Sequence, residues 1–245
     1  MCLLIAQKKG VKVSNKKLGN AWNKNDDGVG YAFIKNGEIE INKFMEFKPF
    51  KKQFNSDVKM YGNESPFLIH FRYATHGITN ELNVHPFKVN NNLVFGHNGV
   101  IHSVDDDKKL SDTQVFNNIV LKNLEDGFLK NEGIRLLISN AIGSSKLAFL
   151  DSTGNINIIN ENLGHWSDDK KIWYSNDGYK SNKMRFISAG NYNGYNANWN
   201  HGAYSGITQK THDNIKKKCD ICWQYQSGIV KVDNTNICPE CSIPA

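Results

Sequence analysis

The chain has 245 residues, a formal net charge of +6 and an apolar share of 39%. That suffices for one full domain with an appendage, or for two small domains. No run approaches the ~18 consecutive apolar residues of a membrane span. The N-terminus also lacks the charged, apolar and small-residue succession of a secretory signal, so a reducing cytoplasm is the expected compartment. The charge is dispersed, with five lysines against four acidic residues in 188–245. Such a surface serves solubility as readily as attraction of nucleic acid or anionic metabolites.

In chain order, Cys2–Gln7 reads as a short apolar strand. Gly30–Lys35 and Glu38–Lys43 flank Asn36-Gly37, the strongest short signal for a hairpin. Pro66–Thr75 and Leu93–His97 are further apolar strands. Val115, Ile119, Val120 and Leu124 recur at helical spacing, as do Ile134, Leu137, Ile138 and Ile142. Leu147–Leu150 and Asn155–Ile159 bracket a turn at 151–154, and Lys171–Ser175 is one more strand. Antiparallel strands with a few helices between them predict a mixed sheet packed against helices. Past Phe186 the chain becomes rich in Asn, Gly and aromatics, the composition of a linker. Its Tyr192, Tyr195, Trp199 and Tyr204 also suit stacking on single-stranded bases.

Five cysteines are present. Cys219/Cys222 and Cys238/Cys241 form two Cys-x-x-Cys pairs fifteen residues apart, the four-thiolate pattern of a closed structural Zn²⁺ site. The segment that carries them is too short to bury a core, so metal would supply its folding free energy. Lys216-Lys217-Lys218, just ahead of Cys219, is a solvated basic turn or a phosphate contact. Cys2 is left over. It is either a small buried hydrophobe at a strand start or a nucleophile. If Met1 is removed, its thiol and the α-amine belong to one residue, and an amine titrating near pH ~8 can serve as the general base.

Four further patterns carry polar chemistry. His70-Phe71-Arg72-Tyr73-Ala74-Thr75-His76-Gly77 ends an apolar strand in polar groups, with Arg72 offering a fork suited to a carboxylate. Asn83-Val84-His85-Pro86-Phe87 alone is a His-Pro turn. In Phe95-Gly96-His97-Asn98-Gly99-Val100-Ile101, Asn98-Gly99 alone reads as a hairpin turn, or as donors for an oxyanion. Ser111-Asp112-Thr113-Gln114 is a helix capping box whose Asp112 can also face a ligand ammonium.

In this order, and with Asn25-Asp26-Asp27-Gly28-Val29-Gly30-Tyr31-Ala32-Phe33, residues 2–185 resemble the class II glutamine amidotransferases, members of the N-terminal nucleophile hydrolases. The resemblance implies Cys2 as nucleophile with its α-amine as base. It implies Arg72 on the substrate α-carboxylate and Asp112 on the α-ammonium. Asn98, by its side chain, and Gly99, by its N–H, would form the oxyanion hole. Thr75 and His76 would line the pocket, and His85 lies in the family's His-Pro segment. The implied substrate is glutamine, cleaved to ammonia and a glutamyl thioester that water hydrolyses.

The sequence therefore predicts an α+β fold: a four-layer αββα N-terminal nucleophile hydrolase sandwich over 1–187, a linker over 188–216 and a zinc ribbon over 217–245. Better-known relatives continue into a synthase domain that consumes the ammonia, for which 245 residues leave no room. A partner enzyme acting in trans is thus expected, with no membrane association. Alternatives are a hydrolase of another γ-glutamyl amide and a nucleic-acid-binding zinc-ribbon protein on an enzyme-derived scaffold.

Overall fold

In the computed structural model the chain divides into two compact units, Met1–Arg185 and Phe186–Ala245. The structure describes residues 2–74, 79–104 and 110–181 and, in the second unit, only the backbone of 217–218, 225–226, 230–232 and 235–237.

The first unit carries two antiparallel sheets. Strands β1 (Leu3–Gln7), β2 (Val29–Lys35), β3 (Glu38–Phe44), β4 (Phe67–Phe71), β9 (His165–Trp166) and β10 (Ile172–Tyr174) form one, in the order β3-β2-β4-β1-β10-β9. Strands β5 (Phe87–Asn90), β6 (Leu93–Asn98), β7 (Lys146–Asp151) and β8 (Ile156–Ile159) form the other, in sequence order. The predicted Asn36-Gly37 hairpin joins β2 to β3, with φ of 53° and 82° at the two turn residues. Positive φ at both central positions is what a tight hairpin of this length requires.

The alternation of side chains builds the layers. On β1, Leu3 and Ile5 enter a core with Tyr31, Phe50, Phe54 and Phe67, while Leu4 and Ala6 face a second core with Leu68, Ala148, Leu150 and Trp173. On β7, Leu147 and Phe149 face away from that second core, into a third with Phe116 and Ile138. Successive strand residues point to opposite faces, so the second core lies between the two sheets. Helices α1 (Asn15–Trp22) and α2 (Phe47–Tyr61) cover the outer face of the first sheet through Leu18, Ala21, Phe50, Phe54 and Val58. Helices α3 (Asp112–Ile119) and α4 (Glu132–Ile142) cover the second sheet. Because β1 is buried on both faces it reads as an unbroken apolar run. Each fully buried phenylalanine contributes roughly 2 kcal/mol relative to an exposed one.

Two helical expectations need correction. The apolar spacing that predicts a helix through Leu124 is interrupted: α3 stops at Ile119, which is largely exposed, and Phe116 is its buried apolar anchor. On α4, Ile138 and Ile142 are buried, whereas Leu137 is 68% exposed. Helices α1 and α2 do not stand out in the periodicity reading. In α2, Pro49 falls within the first turn, where a missing N–H removes no helical hydrogen bond. No helix among the described residues is long and apolar enough to cross a membrane.

In the second unit, β11 (Lys217–Lys218) pairs antiparallel with β12 (Tyr225–Gln226), and β13 (Val230–Val232) with β14 (Thr235–Ile237). Cys219, Cys222, Cys238 and Cys241 lie outside the described residues, as does the segment 188–216.

One close approach fixes the chain leading to β5. A Cβ on Gly30 of β2 would overlap the main-chain carbonyl of His85 and meet that of Asn42 at 3.0 Å. Both neighbours are backbone and cannot rotate away. Gly30→Ala is expected to lower stability by about 3 kcal/mol, read as a lower urea midpoint. A wild-type midpoint would show that the His85 segment does not sit against β2.

Candidate active site

Strand β1 begins beside Cys2, and its first residues are tied to β10. The Leu4 N–H donates to Ser175 Oγ at 2.9 Å, and the Ser175 N–H donates to the Leu4 carbonyl at 2.9 Å. The Cys2 carbonyl accepts two side-chain amides, Asn98 Nδ2 at 2.6 Å and Asn176 Nδ2 at 2.7 Å. Asn98 ends β6 of the second sheet; Asn176 follows β10 of the first. The residue that carries the thiol is therefore held from both sheets. The sequence places Asn98 at an oxyanion; here one of its N–H groups is engaged on the main chain of Cys2. Asn176 does not stand out in the sequence at all. Its only local signal is its place after an apolar strand, because its partner lies 174 residues away in the chain.

The thiol itself meets the strand end after β4. Tyr73 N–H lies 3.2 Å from Cys2 Sγ, and the Tyr73 carbonyl lies 3.3 Å away. Burial pushes the Cys2 thiol up from its ordinary value, opposed by the hydrogen bond from Tyr73 and the positive charge of Arg72. A base is then needed to generate thiolate at neutral pH. The strand end is itself fixed by the Asp27-Gly28 segment. Asp27 Oδ2 accepts the Ala74 N–H at 2.7 Å, the Asp27 N–H donates to the Arg72 carbonyl, and the Arg72 N–H donates to the Gly28 carbonyl. The acidic-glycine run of the sequence thus positions Arg72 and Tyr73.

Cys2, Arg72, Gly99 and Asp112 line one pocket, together with His85, His97 and Thr113. Arg72 is buried. Asp112 opens α3 behind its Ser111 N-cap, and the predicted capping box with Gln114 is present. Its carboxylate accepts the N–H groups of Ile101 at 2.7 Å and Thr113 at 2.8 Å, which fix its position. Gly99 has a φ of 143°, and a Cβ there would overlap the Ser145 side chain. The Asn98-Gly99 step is thus not a two-residue hairpin, since β6 pairs with β7 rather than with a strand directly after it. The pocket volume is about 30 Å³, so an amino acid enters only if the walls move. A larger cavity of about 600 Å³ lies beside Asp126–Leu129 and contains none of these groups. Thr75 and His76, expected in the pocket, lie outside the described residues.

Three buried histidines back the pocket. The rings of His70 and His85 are 4.0 Å apart, those of His85 and His97 6.3 Å. His97 Nδ1 is 2.7 Å from Thr113 Oγ1. Burial pushes His70 down to about 3 and His97 to about 4, and holds His85 well below its ordinary value. The charges facing them are Arg72, Lys43 and Lys146, which lower them further, and Asp112, which opposes the shift at His97. All three are neutral at pH 7 and contribute shape rather than charge.

A half-buried thiol, an arginine, a carboxylate and a glycine of positive φ line one pocket, groups of the kind that acyl transfer uses. Residues 12–119 match the family model of the glutamine amidotransferases class-II, a span that contains Arg72, Asn98, Gly99 and Asp112. Curated relatives include the glutamine–fructose-6-phosphate aminotransferases [isomerizing] of Brucella suis biovar 1 and Brucella melitensis biotype 1. Each is 28% identical over 138 residues, 51% of this chain and 22% of the relative. The chain thus spans about a fifth of their length. Solved structures that resemble it include a glutamine aminotransferase class-II domain protein from Silicibacter pomeroyi (15% identity; 71% of this chain, 87% of that one; TM-score 0.39). Another is the glutamine phosphoribosylpyrophosphate amidotransferase from B. subtilis complexed with ADP and GMP (15% identity; 71% and 41%; TM-score 0.40). At such scores the superpositions add nothing to the fold described above. Residues 12–119 are thus similar to the class II glutamine amidotransferases whose model they match.

The histidines give a pH signature. Below the unfolded value of 6.5 the unfolded chain binds protons that the native state refuses, so stability falls as pH drops toward the folded values near 4 and 3. Each histidine steepens the loss by up to about 1.4 kcal/mol per pH unit. Urea midpoints should be lower at pH 5 than at pH 7; equal midpoints would contradict neutral burial.

Proposed function

We propose that the protein hydrolyses the side-chain amide of glutamine through a Cys2 thioester. The observation that supports this best is the convergence of Cys2, Arg72, Gly99 and Asp112 on one pocket. Removal of Met1 frees the α-amine of Cys2, which takes the thiol proton. Arg72 holds the substrate α-carboxylate and Asp112 its α-ammonium, which leaves the γ-carbonyl beside Sγ. The developing oxyanion takes the Gly99 N–H and the second N–H of the Asn98 amide, whose first is engaged on the Cys2 carbonyl. Thr75 and His76 are the residues that the family resemblance assigns to the glutamine pocket. Ammonia leaves with the relayed proton, and water then releases glutamate and restores the thiol. The facing sheets with helices on their outer faces support reading the fold as an N-terminal nucleophile hydrolase sandwich.

The ammonia passes to a partner enzyme in trans, and the C-terminal segment helps recruit it. The unit boundaries in this reading are those of the sequence: a catalytic domain over 1–187, a linker over 188–216 and a zinc ribbon over 217–245. Four thiols as donors suit structural Zn²⁺, held by Cys219, Cys222, Cys238 and Cys241. The metal would supply folding free energy to a segment described only by two short hairpins. Lys217 and Lys218 on β11 favour a nucleic-acid phosphate as a second target of that segment. Free thiols at both sites require a reducing compartment such as the cytoplasm.

Two measurements test this reading. With Met1 confirmed absent by intact mass, the protein should turn glutamine over to equimolar glutamate and ammonia. Cys2→Ala should reduce the rate by at least about 10³-fold with the fold retained; undiminished turnover would sink the thioester. Elemental analysis should find a single zinc per chain, lost in Cys219→Ser with Cys238→Ser. Full zinc content in that double variant would remove the ribbon.

A further inference from the structure

Cys2 is shared by two cavities. One is the small pocket described above. The other is a cavity of about 500 Å³ that also uses Cys2, Tyr73 and Gly99, and adds Val100, His102, Ser144, Lys146 and Leu163. An acyl-transfer site has two sides for a reason of chemistry: the acyl part sits on one side of the nucleophile and the leaving group departs on the other. Ammonia needs almost no space, so glutamine as the sole substrate would leave this second cavity unused.

The cavity has a definite chemical character. Tyr73, Val100 and Leu163 give it apolar walls, His102 and Ser144 add an imidazole and a hydroxyl, and Lys146 gives it an ammonium. Lys146 is the cross-strand partner of Asn98 in the β6–β7 pair. Directly opposed residues of antiparallel strands project from the same face, and the Asn98 amide reaches the Cys2 carbonyl. The Lys146 ammonium is therefore carried on the face that holds the nucleophile. It is half-buried, and no carboxylate among the described residues lies within ion-pair distance of it. Burial lowers its proton affinity, and its charge is felt at His97. A partly desolvated cation with no counter-ion among the described residues is held at a cost that an anionic ligand offsets.

We propose that this cavity is a leaving-group subsite and that the substrates include γ-glutamyl amides whose amine carries a carboxylate, that is, γ-glutamyl amino acids, with Lys146 pairing that carboxylate. The proposal rests on the thioester reading of Cys2. In the reaction, the Sγ–C bond forms at the γ-carbonyl as the γ C–N bond breaks. The departing amino acid takes the thiol proton, relayed by the α-amine of Cys2, and its side chain and carboxylate occupy the cavity. Water then adds to the thioester, which yields glutamate and the free thiol. No redox co-reactant is required.

Three substrates test the subsite: glutamine, γ-glutamylglycine and the neutral γ-glutamylethylamide. The wild-type protein is expected to prefer γ-glutamylglycine to γ-glutamylethylamide by about tenfold in kcat/KM, the scale of one hydrogen bond to a charged group. Lys146→Met should erase that preference, lowering the γ-glutamylglycine value about tenfold and leaving glutamine and the ethylamide as they were. Lys146→Arg should retain it. The subsite is overturned if glutamine is hydrolysed but γ-glutamylglycine is not, if the wild type shows no preference between the two substituted amides, or if Lys146→Met weakens all three substrates equally. Hydrolysis of none of the three by Met1-free protein would instead overturn the thioester reading and the subsite with it. The wild-type comparison needs no variant, so a misfolded substitution leaves the test intact.

Discussion

The main-chain carbonyl of Cys2 is the point on which the site depends. Two side-chain amides meet there, Asn98 from the end of β6 and Asn176 from the end of β10, so the residue bearing the thiol is fixed by both sheets at once. A chain terminus is ordinarily the least ordered part of a domain unless it is tied down. Here the next residues are a strand in the middle of the first sheet, hydrogen-bonded to β4 on one side and β10 on the other. If Cys2 is the nucleophile, as proposed, a loose terminus would lose the fixed geometry that acyl transfer needs. The burial of β1 on both faces and the twofold amide clamp supply that geometry.

The remaining parts of the site follow from the same packing. The sheets face one another through Leu4, Ala6, Ala148 and Leu150, which brings the ends of β4 and β6 beside Cys2. Asp27 then sets the strand end that carries Arg72 and Tyr73, and the α3 N-terminus sets Asp112. The histidines behind the pocket are kept neutral by burial, so Arg72 and Asp112 are left as the charged groups that line it.

Much of this is legible in the sequence wherever the signal is local. The apolar run after Cys2, the Asn36-Gly37 hairpin and the Ser111–Gln114 capping box each depend on a few adjacent residues, and each stands in the fold as read. The order of the polar motifs carries the resemblance, and the family match covers most of them. What escapes is what depends on distant pairing. Asn176 matters because of a partner at the other end of the chain, and Lys146 because its strand register sets it opposite Asn98. Asn98-Gly99 looks like a turn because hairpin chemistry is local, whereas the β7 partner comes only after two helices. Helix α3 ends early because Ile119 faces solvent rather than the sheet, a fact of packing that periodicity does not contain.

The central claim is that Cys2, as the first residue of the processed chain, is the acylated group. Its most direct test is to treat the protein with a glutamine analogue bearing an electrophilic side-chain carbon and to locate the adduct by intact mass and peptide mapping. The account predicts stoichiometric modification on the Cys2 peptide of Met1-free protein, slowed by glutamine. Modification elsewhere, or none on that peptide while the protein is folded and Met1-free, would contradict it.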